Sequence, residues 1–292
     1  MCMEIVWLIN IIIFIGLFFG SIFDFRKREV PDLLNFILII LGILFGLILS
    51  LYNWSVWPIV SAIVGLICGY LFGALMFYTG QWGGGDAKML MAIGALQGVD
   101  LYLWFTSGDI PLFFTTVITI MFAGSFYGLV YMCFLIFRNF KTVREELMIK
   151  LRTPIYTKIR MFVIIFVAIS CLFSILLVEN YFYKLLIILI AGTIYLGMNL
   201  IFLVRVVEKV CMIKEIPLKE LTEGDWILED VYFKDEIICG PKDLGVSLEQ
   251  IALLKKHKIN KIKIKIGIPF IPGFLLGFIL ILIFGNWLLL LF

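Results

Sequence analysis

The segment that decides the fold is residues 57–88, WPIVSAIVGLICGYLFGALMFYTGQWGGGDAK, in which a long apolar run ends at three glycines and an acid. The run from Trp57 to Tyr78 is long enough to cross a membrane as a helix, which takes about 20 residues. Asp86 then lies beside a second apolar run that starts at Met89. Because a carboxylate next to hydrocarbon costs a few kcal/mol, an acid in this place indicates a functional site.

Long apolar runs recur along the rest of the chain. Of its 292 residues, 63% are hydrophobic and 15% are charged, against about 25% charged residues in a soluble domain. The pattern predicts an α-helical polytopic membrane protein of about eight transmembrane helices with a small cytoplasmic α+β domain. Gly98 and Asp100 interrupt the fourth span. The predicted spans cover 5–23, 33–51, 57–79, 86–104, 110–137, 161–178, 185–204 and 269–291.

Positive charge is concentrated in alternate loops. Three Lys or Arg residues lie in the first loop, one in the third, seven between Arg138 and Arg160 and twelve between Arg205 and Lys265, which leaves only Lys184 elsewhere. The positive-inside rule predicts that these loops are cytoplasmic and that both termini lie outside. Since no positive residue precedes the first apolar run, we expect a retained signal anchor rather than a cleaved signal peptide. The net charge of +3 gives no indication of nucleic-acid binding.

Metal and redox sites have little support in this sequence. The six cysteines form no C-x-x-C pair, and the one histidine, His257, lies within Lys-Lys-His-Lys. A histidine-based triad or a Cys/His metal site is therefore not expected. We predict no metal and no other cofactor.

Two acids occupy matching places in the predicted topology. Asp24 ends the first span and Asp86 begins the fourth, and the loop beside each is predicted to be cytoplasmic. If the two spans pack together, the carboxyls can share one proton, because two carboxyls about 3 Å apart cannot both ionise. One can then take a proton from water while the other protonates the carbonyl oxygen of a peptide bond. This pattern predicts an aspartic endopeptidase with Asp24 and Asp86 as the catalytic pair.

The residues around the pair allow a second interpretation. Gly83 and Gly85 can shape the loop, because glycine tolerates unusual backbone angles and lets another chain approach closely. Alternatively, Asp86 caps the helix after a tight turn, and Asp24 is a boundary residue paired with a neighbouring basic side chain.

The segment Gly83-Gly84-Gly85-Asp86 matches the G-x-G-D motif of the membrane aspartic proteases, which include presenilin, signal peptide peptidase and the type IV prepilin peptidases. Asp24 followed by Val30-Pro31 and Asn35 resembles the first-aspartate region of the prepilin peptidases, although three residues are inserted before Asn35. Lys88, two residues after the second acid, also resembles that family. Because the cysteine pairs of the bacterial enzymes are missing, the chain resembles the archaeal branch, the preflagellin and prepilin peptidases.

This resemblance implies an enzyme that removes short basic leader peptides from preflagellin-like or prepilin-like precursors at the cytoplasmic membrane face. Those precursors and the lipid bilayer would be its partners, and nucleic acid would not. Glu29 and Asp32 would attract the basic leader, unless they only offset the charges of 26–28. Lys88 would be an interfacial anchor or a charge near the pair.

The composition changes along the chain, since charge rises and apolar runs shorten after residue 205. Residues 1–205 are predicted to form a transmembrane catalytic domain with a basic loop at 138–160, 206–266 the small cytoplasmic α+β domain, and 267–292 a C-terminal transmembrane helix.

Within the small domain, short patterns predict individual elements. Residues 225–233 and Lys261–Ile266 alternate between polar and apolar residues as strands do. Ser247–Gln250 fits a capping box that opens a short helix running to about Lys258.

Two other classes of protein fit part of the pattern. A proton-coupled transporter or channel also places acids inside a helix bundle. Such proteins usually carry acids in mid-span and internal repeats, and neither is clear in this sequence. A noncatalytic membrane scaffold that binds partners through the small domain is the other alternative.

Overall fold

A computed structural model describes residues 2–233, 236–243, 245–257 and 259–290 of the chain. The helices are α1 Cys2–Lys27, α2 Asp32–Asn53, α3 Trp57–Tyr78, α4 Gly84–Gln97, α5 Leu101–Ser107, α6 Leu112–Arg138, α7 Phe140–Leu151, α8 Pro154–Leu177, α9 Tyr181–Val207, α10 Leu248–Lys256 and α11 Ile271–Phe284. The strands are β1 Ile213–Pro217, β2 Trp226–Ile227, β3 Val231–Phe233, β4 Glu236–Cys239 and β5 Lys261–Lys265.

The predicted fold class is confirmed, but the number of spans is lower. In the described part of the chain, six helices are long and apolar enough to cross a membrane: α1, α2, α3, α6, α8 and α9. The helices α4 and α5 meet the same standard only as a pair bent by 67°. At 14 residues, α11 is about 21 Å long, which is shorter than a hydrocarbon core of about 30 Å. The prediction of about eight spans is therefore corrected to six, or seven if the bent pair is one span.

Two glycines with positive φ explain where the helices depart from the predicted spans. Gly98, with φ of 69°, ends α4, and the Asp100 carboxylate starts α5 by accepting a hydrogen bond from the Leu103 N–H at 2.9 Å. Gly285, with φ of 62°, ends α11, and its N–H donates to the Ile281 carbonyl at 2.8 Å. Residues with a side chain rarely adopt such angles, so the backbone leaves the helical path at both glycines.

The chain forms two compact units, Met1–Tyr131 with Gly267–Phe292 and Met132–Ile266. In the first unit, α4 packs against α3, α2 and α1, and α11 packs against α1. Leu17, Leu90 and Phe113 are fully buried in the core of this unit. The three-part division at 205/206 and 266/267 stays a prediction.

The second unit holds α7 to α10, the end of α6 and all five strands. Part of the predicted basic loop at 138–160 is in fact the helix α7. The three-stranded antiparallel sheet has the order β1-β5-β2, and β3 pairs with β4. The predicted strand at 225–233 is divided between β2 and β3.

Two predicted elements of the small domain are confirmed. In β5, Ile262 and Ile264 are buried while Lys261 and Lys263 are exposed, as the alternation predicted. The Ser247 hydroxyl accepts from the Gln250 N–H at 3.2 Å, and the Gln250 side chain accepts from the Ser247 N–H at 2.9 Å. This capping box opens α10, and Lys258, the predicted end of the helix, lies outside the described residues.

Candidate active site

Asp24 lies in the last turn of α1 and is only 5% exposed. Its Oδ2 atom accepts a hydrogen bond from the backbone N–H of Ile271 at 3.0 Å. Ile271 is the first residue of α11, and an N–H in the first turn of a helix has no acceptor within that helix. The Asp24 side chain therefore caps α11, and the electropositive end of that helix faces the carboxylate.

Arg28 ties the chain after Asp24 to two other parts of the first unit. Its φ is 61°, and its N–H donates to the Asp24 carbonyl at 2.9 Å. One guanidinium nitrogen donates to the Gly267 carbonyl at 3.2 Å and the other to the Tyr131 hydroxyl at 2.8 Å. The segment that leads into α11 is thus held to the end of α1 at Gly267 as well as at Ile271.

Asp86 lies in the first turn of α4, where its Oδ2 atom accepts a hydrogen bond from the Gly83 N–H at 2.9 Å. The Gly83 carbonyl in turn accepts from the Ala87 N–H at 3.2 Å. One carboxylate oxygen of Asp86 therefore takes part in capping α4, as the alternative interpretation expected. In both Asp24 and Asp86, a backbone N–H contacts one carboxylate oxygen, which fixes the orientation of the carboxyl group.

The structure brings the two predicted catalytic acids near each other. The helices that carry them, α1 and α4, are in contact. Two carboxyls that meet can hold and transfer protons as a unit. This is the chemical capability that general acid–base catalysis requires.

Gly85 and Asn35 hold the glycine segment against the chain that follows α1. A Cβ at Gly85 would lie 3.1 Å from the Cβ of Val30, so this backbone passes closer than most side chains allow. The fully buried Asn35 donates from Nδ2 to the Gly85 carbonyl at 3.3 Å. The Asn35 Oδ1 atom is buried with no hydrogen-bond partner in the described part of the chain.

Three aromatic side chains join the glycine segment to α11, and we call Trp82, Phe270 and Phe274 the aromatic cluster. The ring centroids of Trp82 and Phe270 are 5.7 Å apart, and those of Trp82 and Phe274 are 5.0 Å apart. Trp82 is 6% exposed and Phe274 is fully buried. Neither Ile271 nor this cluster was found from the sequence, because nothing in the local pattern links residues so far apart.

Helix α3 contacts α4 through a glycine stripe, which we define as Gly65, Gly69 and Gly73. A Cβ at Gly65 would lie 2.1 Å from the Gly94 carbonyl oxygen, and one at Gly69 would lie 2.7 Å from that of Leu90. Small residues at a spacing of four let membrane helices approach closely. The sequence interpretation missed the stripe, although its G-x-x-x-G spacing is visible in the printed chain.

The three charged residues predicted near the leader peptide lie in two places: Lys88 and Asp32 form an ion pair, and Glu29 lies in the loop after α1. The Lys88 ammonium lies 2.6 Å from the Asp32 carboxylate, and it also lies 5.8 Å from the centre of the Phe36 ring. The charge of Asp32 is therefore offset by Lys88. Glu29 is exposed in the loop between α1 and α2.

No group of three or more His, Cys, Asp or Glu side chains is placed to hold a metal ion within the described ranges.

Comparison with known proteins agrees with this geometry. A model of the type IV leader peptidase family matches residues 11–134, the stretch that contains both acids and the glycine stripe. The chain is 37% identical over 84 residues to a preflagellin peptidase of Methanococcus maripaludis, and 37% identical over 82 residues to one of Methanocaldococcus jannaschii. Each alignment covers 28% of this chain and 35% of the relative, so the chain spans about a third of the length of the curated relatives it matches. Residues 11–134 are thus similar to the type IV leader peptidase family.

Proposed function

We propose that the protein is a membrane aspartic endopeptidase that removes leader peptides from preflagellin-like or prepilin-like precursors. The observation that carries this proposal is the pair Asp24 and Asp86, which lies at facing ends of α1 and α4 inside the matched region. The relatives named as preflagellin peptidases support the substrate class.

The proposed reaction uses the two carboxyls as one acid–base unit. The ionised carboxyl takes a proton from water, whose oxygen bonds to the carbonyl carbon of the scissile peptide, while the protonated carboxyl gives its proton to the carbonyl oxygen. The tetrahedral intermediate then breaks its C–N bond. The acid that took the proton from water gives it to the leaving nitrogen, and one hydroxyl of the intermediate returns its proton to the other acid, which restores the singly protonated pair. The shared proton belongs to the pair, so neither residue has a fixed role as acid or base.

The hydrogen bonds at the site suit this reaction. The Ile271 N–H holds one oxygen of Asp24, and the Gly83 N–H holds one oxygen of Asp86. These donors hold each carboxyl in one orientation. Holding the reacting groups in place before the substrate arrives lowers the entropic part of the barrier.

We place the site at the cytoplasmic face of the membrane, with the N-terminus outside. Three basic residues at 26–28 lie just after Asp24 and Phe25, and positive loops stay in the cytoplasm. A leader peptide would be cut there, just before the apolar segment of its precursor enters the bilayer.

The test is co-expression with an archaeal preflagellin or prepilin, with removal of the leader followed by gel shift. The variants Asp24→Asn and Asp86→Asn keep the size of each side chain and remove the ionisable proton. Asp100→Asn is the matched control, because Asp100 caps α5 and asparagine caps equally well. We expect the wild type and the Asp100 variant to cut and the other two to be inactive.

Each other outcome contradicts part of the proposal. If either the Asp24 or the Asp86 variant cuts at the normal rate, the paired-acid mechanism is wrong. If the wild type cuts none of a panel of preflagellin and prepilin leaders, the substrate class is wrong.

Recognition of the basic leader is proposed to depend on the acids near Asp24. Asp32→Asn should raise KM for a Lys/Arg-rich leader, and Lys88→Met should lower it, because Lys88 now offsets the Asp32 charge. Glu29→Lys should also raise KM. A KM that is unchanged in all three variants would remove these charges from the recognition model.

A further inference from the structure

We propose that Trp82 and Phe274 are positioning residues of the acid pair, an inference that rests on the proposed function of Asp24 and Asp86. They hold the start of α11 beside the glycine segment, so that the Ile271 N–H stays on the Asp24 carboxylate.

The proposal starts from the contacts on either side of Ile271. Ile271 is fully buried and donates to Asp24 at 3.0 Å. Phe270 directly precedes Ile271 and Phe274 follows it by three residues on α11; their ring centroids are 5.7 Å apart, and both rings contact Trp82. Ile271, whose N–H donates to Asp24, therefore lies between two aromatic residues that both contact Trp82.

Trp82 also reaches the second acid through the backbone. It directly precedes Gly83, whose N–H donates to Asp86 at 2.9 Å. A continuous set of contacts thus leads from Asp24 through Ile271, Phe274 and Trp82 to the cap of Asp86. All of these residues belong to the first unit.

Helix α6 limits how α11 can move if this cluster is weakened. A Cβ at Gly273 would lie 2.8 Å from the Cα of Gly124 on α6, and one at Gly277 would lie 2.7 Å from the Cα of Ile120. Because α11 already touches α6 at backbone distance, it cannot move closer to α6. A smaller side chain at Trp82 or Phe274 therefore leaves space into which Ile271 can move away from Asp24.

A buried aromatic residue usually contributes only to packing, and the chain offers a matched test of that alternative. Phe274 and Phe278 lie one turn apart on α11, and both are fully buried. Phe274 contacts Trp82, whereas Phe278 lies one turn further from Ile271. Replacing either one with leucine removes the same atoms from the core, but only Phe274→Leu removes a ring from the aromatic cluster.

The experiment measures kcat, KM and the thermal midpoint of the purified full-length chain with a preflagellin substrate. We expect Phe274→Leu and Trp82→Leu to lower kcat by about 10-fold or more while KM stays within about twofold, since a shift of about 1 Å can cost up to about 10²-fold in rate. Trp82→Phe, which keeps a ring, should recover most of the rate. Phe278→Leu should lower the thermal midpoint by a similar amount and leave kcat within about twofold.

Equal kcat values for Phe274→Leu and Phe278→Leu would overturn the proposal, because packing alone would then explain both. If Phe274→Leu does not fold, Phe274→Met and Trp82→Phe test the same contact with a smaller change in volume. Asp24→Asn and Asp86→Asn are assayed alongside. If the acids are essential and the Trp82 and Phe274 variants keep a normal kcat, only this inference fails; if the acids are dispensable, the proposed function fails and this inference with it.

Discussion

Replacing Gly65 with alanine tests the close approach of α3 and α4 most directly. The added Cβ would lie 2.1 Å from the Gly94 carbonyl oxygen, whereas ordinary contact begins at 3.4 Å. The two helices would therefore have to separate locally by about 1.3 Å. The obstacle is backbone, so no side chain can turn aside to make room.

The expected loss of stability is the difference between two effects. Overpacking of a well-packed contact costs about 1–3 kcal/mol, and a backbone clash of this size belongs near the upper end. Exchanging glycine for alanine within a helix returns about 1 kcal/mol. The free energy of unfolding should therefore fall by about 2 kcal/mol, which corresponds to roughly 4–8 °C in the thermal midpoint of a chain of this size.

The assay is thermal unfolding of the purified chain in detergent, with Gly128→Ala as the control. Gly128 lies on α6 in the same unit, and a Cβ there would meet nothing within 4 Å. That variant should keep or raise the midpoint, while Gly69→Ala and Gly73→Ala should fall between the two, because their closest contacts would be 2.7 Å and 2.9 Å. If Gly65→Ala is as stable as Gly128→Ala, the packing of α3 on α4 described above is wrong.

Three other sites give predictions for the same purified chain. Burial raises the pKa of the Cys239 thiol to about 11. Between about pH 9 and pH 11 only the unfolded chain loses this proton, so the free energy of unfolding of the small domain should fall as the pH rises through this range. Cys239→Ala should flatten that dependence. Asp32→Asn should shift the midpoint by less than about 4 °C, because its ion pair with Lys88 is exposed. Asn286→Leu should cost about 2 kcal/mol, because it leaves the Ile110 carbonyl, now 2.7 Å from the Asn286 amide, without its donor. A smaller effect at Asn286 than at Asp32 would contradict the last prediction.

Hydropathy predicted where helices lie better than where they stop. Six of the eight predicted spans correspond to helices long enough to cross a membrane. The other two depart from prediction at Gly98 and Gly285, where a positive φ turns the backbone. The interruption at Gly98 and Asp100 was visible in the sequence, whereas the end of α11 at Gly285 was not predicted. The charge-rich stretch at 138–160 was expected as a loop because its apolar positions are few, yet α7 forms there and buries Val143.

The two acids of the candidate site could be predicted because each breaks an apolar pattern. The residues that orient them could not be predicted in the same way. Trp82 and Phe274 look like ordinary apolar residues. Ile271 acts through its backbone N–H, so its residue type gives no sign of this role. Such contacts depend on which helices meet, and that is decided by packing across the whole unit.

The hydrogen bond between Asp24 and Ile271 joins residues that are 247 positions apart in sequence. Asp24 is therefore synthesised long before Ile271, whose N–H orients its carboxyl. While the chain is being synthesised, α1 and α4 can enter the bilayer with both acids in place. The Asp24 carboxylate lacks its hydrogen bond from Ile271 until α11 packs against α1. Assembly of the site is thus tied to the completion of synthesis, and a nascent chain that has not reached residue 271 carries both acids without the contact that orients Asp24.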